Sequence, residues 1–327
     1  MAEPARHPIP LQAAGLAGAT APPARGWWGD ALRRFLRHRA AVAGLVVICL
    51  FGMMALLAPW VDHHGPTRQQ LDATLAEPSA RFWLGTDQLG RDQYSRLVHG
   101  ARISLAVGVF TQALALGLGV AVGMAAGLGG RRVDTLLMRL TDIAYAFPDL
   151  LMIILLVSVF GSSVTMFVLA IGLVSWPTIA RLVRGQVLSL QEEEFVLATR
   201  SLGASNWRIA WRHLLPNLLG PVIVTAAFGI PAAIFAEAAL AFIGLGLAPP
   251  TPSWGRLVAD SFTTLSVAPY LALTSCLAIA ITMMSFTFIG DGLRDALDPR
   301  TPARGSLPDV GLTSERARAE TQQRRAA

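Results

Sequence analysis

Residues Leu136 to Arg181 read LLMRLTDIAYAFPDLLMIILLVSVFGSSVTMFVLAIGLVSWPTIAR, an apolar stretch broken only by Arg139, Asp142 and Asp149 before its last residue. As a single helix at about 1.5 Å per residue it would exceed about 60 Å, twice the hydrocarbon core of a bilayer. It must fold back. Gly161-Ser162-Ser163 is the natural turn, giving one span that ends near Phe160 and another that begins near Val164. Working outward, uncharged runs also occupy Ala40 to Val61, Ile103 to Gly130, His213 to Ala236 and Phe262 to Gly290. Each is long enough to cross a bilayer, which takes about 20 helical residues. The sequence therefore predicts an all-α, polytopic membrane protein with six transmembrane helices.

The composition of the 327 residues agrees: 53% are apolar and only 15% charged, too little charge to cover a soluble chain of this length. All 27 basic residues are arginine and, against 21 acidic residues, give a net charge of +6. With the N-terminus inside, the leader, the stretch around Arg131, Arg132 and Arg139, the stretch from Arg181 to Arg212, and the segment after Gly290 hold 21 of these arginines. Arg68, Arg81, Arg91, Arg96, Arg102 and Arg256 fall outside. Positive charge is retained on the cytoplasmic side, so both termini are expected there, and the basic balance needs no nucleic-acid partner. Cys49 and Cys276 lie in apolar runs and read as packing residues. No signal-peptide core with a cleavage site precedes Gly26.

Absent residues narrow the chemistry further. Without lysine the chain has no Walker phosphate loop and no Schiff-base nucleophile. No HExxH, GxSxG or GxGxxG occurs. His63-His64 is the one histidine pair, and it reads as two solvated residues at a helix end, since adjacent ligands without further donors make a poor metal site. No metal and no catalytic residue is expected.

The largest inner loop, SLQEEEFVLATRSLGASNWRIAWRHLLPN, runs from Ser189 to Asn217. Ser189 followed by Glu192 reads as a capping box, with Phe195, Ala198, Thr199 and Leu202 on one helical face. Gly203 ends that helix as a left-handed cap. Ser205 then caps a second helix with Trp207, Ala210, Trp211 and Leu214 on one stripe, stopped by Pro216. A helix, a glycine corner and a helix thus interrupt the membrane pattern. A DNA-reading unit does not fit between two spans, whereas an elbow lying on the bilayer surface would.

The glycine, nine residues, then HLLP resemble the EAA loop of permeases in ATP-binding-cassette (ABC) importers, in the RHxLPN form of peptide and nickel importers. In that family the loop inserts a short helix into a groove on a partner ATPase. Ala198, Gly203, Ala204, Leu215 and Pro216 match the motif; Leu197 stands where its glutamate usually is and Thr199 where its second alanine is. LGTDQLGRDQYSRLVHGARISL, Leu84 to Leu105, and EAALAFIGLGLAPPTPSWGRLVADS, Glu237 to Ser261, are similar to segments of the C-type subunit of dipeptide and oligopeptide importers.

The resemblance implies a type I ABC importer permease. Its parts would be a cytoplasmic leader (1–39), a first span (40–61), an external segment (62–102), a permease core (103–292) with a coupling loop (182–216), and a cytoplasmic tail (293–327). It also implies a second homologous permease, two ABC ATPases that use ATP and Mg, an external substrate-binding protein, and location in the bacterial inner membrane. Nothing is bound by this chain as a cofactor. The expected substrates are di- or oligopeptides, with glutathione or nickel as alternatives. A stand-alone secondary transporter or a membrane-embedded enzyme would need internal repeats with broken helices or a polar cluster within the spans, and neither is found. ATPase coupling falls to Ala198, Thr199, Leu202, Gly203, Ala204, Trp207, Leu215 and Pro216. Intramembrane carboxylates are functional candidates by default, which singles out Asp149, beside the kink expected at Pro148, and Glu237. Gly244, Gly246 and Pro250 cannot continue a helix and would form a rigid connection at the outer gate. Ala115, Gly119, Gly123 and Gly127 form a small-residue stripe that lets another helix approach.

Overall fold

The computed structural model describes residues 27–62 and 64–298. The expectations for His63, for residues 1–26 and for the tail after Asp298 lie outside the described residues. Among the described residues the chain is helical with no strand, and an isolated bridge joins Thr86 to Asp92. The helices are α1 (Trp27–Arg37), α2 (Arg39–Val61), α3 (Gln93–Leu128), α4 (Gly130–Tyr145), α5 (Asp149–Phe160), α6 (Val164–Gln191), α7 (Glu194–Ser201), α8 (Asn206–Ile209), α9 (Leu215–Leu240), α10 (Trp254–Phe262) and α11 (Pro269–Leu297).

Five helical stretches are long and apolar enough to cross a membrane: α2, α3, α6, the run Asn206–Leu245 that contains α9, and α11. The sixth candidate is a bent pair. α4 and α5 meet at a 78° bend, so the kink expected at Pro148 is a break between two helices. Pro148 is the cause, since it disfavours helix at Phe147 and offers no N–H to the preceding turn. Gly161, at φ +90°, and Ser163, which accepts the Met166 N–H at 3.1 Å, then make the turn into α6.

At the centre α3 lies along α6. Ala115, Gly119, Gly123 and Gly127 are buried on the α3 face that meets it. A Cβ built on Gly119 would stand 2.6 Å from Ile179 Cβ, and one on Gly123 would stand 2.5 Å from the Ala180 carbonyl oxygen; one on Gly127 would overlap Val187. α9 packs on the other side of α3, with Val107, Phe167, Ile171, Ala233 and Leu240 sharing one core. α2 and α11 close the bundle around Ala55, Ala101, Trp254 and Ala278. Leu50, Leu56 and Trp60 on α2, with Leu151, Leu155 and Val159 on α5, remain exposed, as suits helices solvated by lipid. Cys49 and Cys276 also lie exposed, on α2 and α11, instead of packing inside.

The bundle has two distinct ends. One carries residues 64–92, α10 and the start of α11. α3 begins ten residues before the apolar run that announced it, because Asp92 accepts the Tyr94 N–H at 3.2 Å and caps it. Hydropathy misses this first part because its charges are consumed internally. Arg96, 2% exposed, bridges Asp87 at 2.5 Å and Asp260 at 2.7 Å, and Arg91 reaches the same two carboxylates. Beside them His64 contacts Asp92 at 3.3 Å and His99 contacts Asp62 at 3.0 Å. Burial disfavours the Asp62 carboxylate, but hydrogen bonds from Ser95 and the Gly65 and His64 amides, with His99 nearby, outweigh it and hold its pKa below the ordinary 3.8. The opposite end carries α1, α7, α8 and the end of α11.

Overpacking a well-filled seam costs about 1–3 kcal/mol. Gly123→Val should therefore lower the thermal stability of the purified chain in detergent. Gly117→Val, on the same helix with nothing within 4 Å of a built Cβ, should leave it unchanged. Equal melting of the two variants would contradict the packing described.

Candidate functional site

The segment between α6 and α9 is built on a glycine corner. α6 runs through Ser189 to Gln191, so Ser189 is not a cap; α7 starts after Glu193 instead. Nothing in Ser189-Leu190-Gln191 breaks a helix, and the Gln191 side chain donates to the Gly127 carbonyl at 2.8 Å, fixing the end of α6 to α3. α7 closes with Gly203 at φ +79°, where the Gly203 N–H donates to the Arg200 carbonyl at 3.0 Å and the Ala204 N–H to the Thr199 carbonyl at 3.3 Å. This paired arrangement is a Schellman cap. Ser205 then accepts the Arg208 N–H at 3.4 Å and starts α8.

Pro216 does not end the second helix. Ala210–Leu214 form a π turn, with the Leu215 N–H bonded to the Ala210 carbonyl, and the helix passes through Pro216 into α9. The wider turn shifts the hydrogen-bond register just ahead of the residue that lacks a donor. The expected stripe of Trp207, Ala210, Trp211 and Leu214 is divided accordingly. Ala210 and Leu214 turn inward with Ile209, whereas Trp207 and Trp211 stack edge to face outside, with ring centroids 5.3 Å apart.

Two anchors not singled out in the sequence hold the unit. Val196 and Ile209, both fully buried, join Ile179, Val183, Val187, Leu214 and Leu218 in one cluster. Their signal was present as β-branched residues one position off the chosen stripes. What remains outside is apolar: Leu202 is 88% exposed and Trp207 72%, with Phe195, Leu197 and Trp211 also exposed. Ala198 and Ala204 lie beside them, and Thr199 donates to the Phe195 carbonyl at 2.7 Å. Large apolar side chains left exposed at a helix–corner–helix unit suit an interaction site.

At the other end Glu237 sits in the last turn of α9, fully buried. Its Oε1 accepts the Ser253 hydroxyl at 2.7 Å, and Ser253 in turn accepts the Arg256 N–H at 3.1 Å as the cap of α10. The neighbouring Trp254 donates its backbone N–H to Ser104 Oγ and its indole N–H to the Leu97 carbonyl, both at 3.0 Å. A Cβ on Gly255 would come 2.5 Å from the Ala238 Cα, so α10 lies directly on α9. The carboxylate thus ties α9 to α10, and Trp254 ties α10 to α3. Ser253, directly after the proline run, was the overlooked partner.

Between α9 and α10 a π turn, Ala241–Leu245, ends at Gly244 with φ +88°, and Gly246 packs on Ala241. Pro249 and Pro250 stand exposed. Pro249 borders a cleft of about 320 Å³ lined by Asp87, Arg91, Arg256 and Asp260. A larger cleft of about 870 Å³ opens at the α7 end among Leu182, Gln186, Asn217, Val224 and Arg294. Glu237 lines neither. Asp149 is exposed in the first turn of α5, where a negative charge suits the helix dipole, and no bond brings it to Glu237. Among the described residues no cluster of three potential metal ligands occurs.

Comparison with known proteins places this arrangement. The family described as "Binding-protein-dependent transport system inner membrane component" matches residues 119–302, and "N-terminal TM domain of oligopeptide transport permease C" matches residues 26–78. The chain is 41% identical over 273 residues to a dipeptide transport system permease of Alkalihalophilus pseudofirmus, with 84% of this chain and 90% of the relative covered. An oligopeptide transport system permease of Bacillus subtilis matches to the same extent. A glutathione transport system permease of Pectobacterium atrosepticum is 38% identical over 274 residues, covering 84% of this chain and 91% of the relative. Among solved structures, an inward-facing MetNI methionine ABC transporter chain aligns with a TM-score of 0.52 at 18% identity, over 62% of this chain and 96% of that one, a likeness of fold. The chain therefore belongs to the binding-protein-dependent transport system inner membrane components, as a multi-pass permease with the N-terminal domain of the oligopeptide permease C type.

Proposed function

We propose that the chain is one of two permease halves of an ATP-driven importer that moves di- or oligopeptides by alternating access. The observation that carries this reading is the exposed apolar surface of α7 and α8, held by a rigid Schellman corner and anchored through Val196 and Ile209 to α3 and α6. Such a unit can receive a push from a docked ATPase and pass it into the bundle without bending. The relatives named for dipeptide and oligopeptide transport favour peptides as cargo, and the relative named for glutathione transport supports a small peptide-like solute as the second reading.

The partners in this reading are a homologous permease, two ABC ATPases that bind ATP and Mg, and an external substrate-binding protein. This chain catalyses no reaction and holds no cofactor. The arginine distribution puts α1, α7, α8 and the end of α11 in the cytoplasm, and residues 64–92 and α10 outside. Glu237, Gly244, Gly246 and Pro250 then belong to the outer gate. Glu237 acts there as the strut between α9 and α10, while Asp149 steadies the start of α5.

Three experiments test the reading. Gly203→Val forces a β-branched residue into the left-handed region; the variant should reach the membrane with its partner permease but recover about a hundredfold less ATPase, as loss of an interface anchor of a few kcal/mol implies. Full ATPase recovery with normal transport would remove α7 and α8 as the docking element. Glu237→Leu strands the Ser253 hydroxyl, a cost of about 1–3 kcal/mol, whereas Glu237→Gln retains an acceptor. Peptide uptake should fall strongly in the first and less in the second at equal membrane abundance, and unchanged uptake in both would dismiss the strut. Reporter fusions after Arg81 or Arg256 should behave as external and one after Glu193 as cytoplasmic; an external Glu193 would end the importer reading.

A further inference from the structure

α1 has two apolar faces, and only one is used by the bundle. Ala31 and Phe35 are buried, 6% and 7% exposed, where Phe35 packs with Ala41 and Ala296 and a Cβ on Gly292 would come 3.4 Å from its ring. Arg34 donates to the Asp298 carbonyl at 3.2 Å, closing α1 onto the end of α11. Leu32 and Leu36, four residues apart and so one above the other, are 57% and 56% exposed, while Trp28, between the two faces, lines the 870 Å³ cleft. Arg33 and Arg37 follow the two leucines by one residue each, line the edge of the stripe, are exposed and pair with no carboxylate among the described residues. Asp30 is the only acid of the helix.

Position decides the occupant. His38 alone separates α1 from α2, whose ring nitrogen accepts the Ala41 N–H at 3.1 Å and whose backbone is extended. α2 is apolar from Ala40 onward, so the Arg37 end of α1 stands where the hydrocarbon begins, and Phe35 and Arg34 hold the helix against the end of α11. An apolar stripe edged by arginines at that depth has the form of a helix lying in the lipid interface. We propose that the Leu32–Leu36 face of α1 docks on the membrane surface, with Arg33 and Arg37 binding acidic phospholipid headgroups. Because Phe35 and Arg34 hold α1 to α11, the lipid surface then anchors the end of α11 as well.

The test uses the assembled importer in nanodiscs of phosphatidylcholine, alone or with one quarter phosphatidylglycerol. Cys49→Ala and Cys276→Ala clear the background, and spin labels are placed through Leu36→Cys or Asp30→Cys. The label at 36 should collide several-fold more with oxygen than with a water-soluble nickel chelate, and the label at 30 the reverse. Removing phosphatidylglycerol, or introducing Arg33→Gln with Arg37→Gln, should lower the preference at 36, by about fivefold per arginine lost. Equal access of the chelate at both positions would place the stripe in water and overturn the proposal. So would shielding of position 36 from both reagents, which would mean a protein partner covers it, or indifference to phosphatidylglycerol and to both arginines. Should a labelled variant fail to assemble, the unlabelled importer supplies a second readout: phosphatidylglycerol retained on purification must fall in the Arg33→Gln, Arg37→Gln variant, and an unchanged amount overturns the proposal equally.

Discussion

Everything else in the molecule hangs on the approach of α3 to α6. Inside a bilayer there is no hydrophobic force between helices beyond what lipid already offers, so contact must be won by close van der Waals packing. Gly119, Gly123 and Gly127 supply it by removing the side chains that would hold the backbones apart, leaving Ile179, Val183 and Val187 to fill the seam. The seam ends where Gln191 meets the Gly127 carbonyl. That bond sets where α6 stops and hence where α7 and α8 emerge.

The two ends of the bundle solve opposite problems. At the α10 end, charges are gathered inward: Arg96 is buried only because Asp87 and Asp260 surround it, and loss of either would leave a desolvated charge. This network locks residues 85–96 to α10, and the Glu237–Ser253 bond locks α10 to α9. At the α7 end, large apolar side chains are turned outward, while Val196, Ile209, Ala210 and Leu214 face in. A rigid end and an adhesive end suit a device in which force enters at one side and opens the other.

The five long spans and the glycine corner could be read from the sequence because each follows from strong local physics: length of apolar run in one case, freedom at positive φ in the other. The bend at Pro148 was legible as a kink, but its 78° angle was not, since the angle depends on what α4 and α5 each pack against. Ser189 and Pro216 misled for a shared reason. Capping and breaking are local preferences, and here the Gln191 contact and a π turn offered tertiary or register alternatives that outweighed them. Glu237 was conspicuous as a carboxylate in an apolar run, whereas its partner Ser253 was hidden in a proline-rich loop sixteen residues away. The start of α3 stayed invisible because a hydropathy scale reads Arg96 and Asp92 as exposed when they are paired and buried.

The bend between α4 and α5 sets a mechanical condition on the surrounding lipid. Were the pair to cross the bilayer with α5 along its normal, the 12 residues of α5 would rise about 18 Å and α4, tilted by the 78° bend, would add about 5 Å. The pair would then be several ångströms shorter than a hydrocarbon core of about 30 Å. Lipid that meets this face must compress, at a cost of fractions of a kcal/mol per ångström, and straightening the joint would relieve it. Bilayer thickness thus becomes a load acting on one hinge of the permease, heavier in thick membranes and lighter in thin ones.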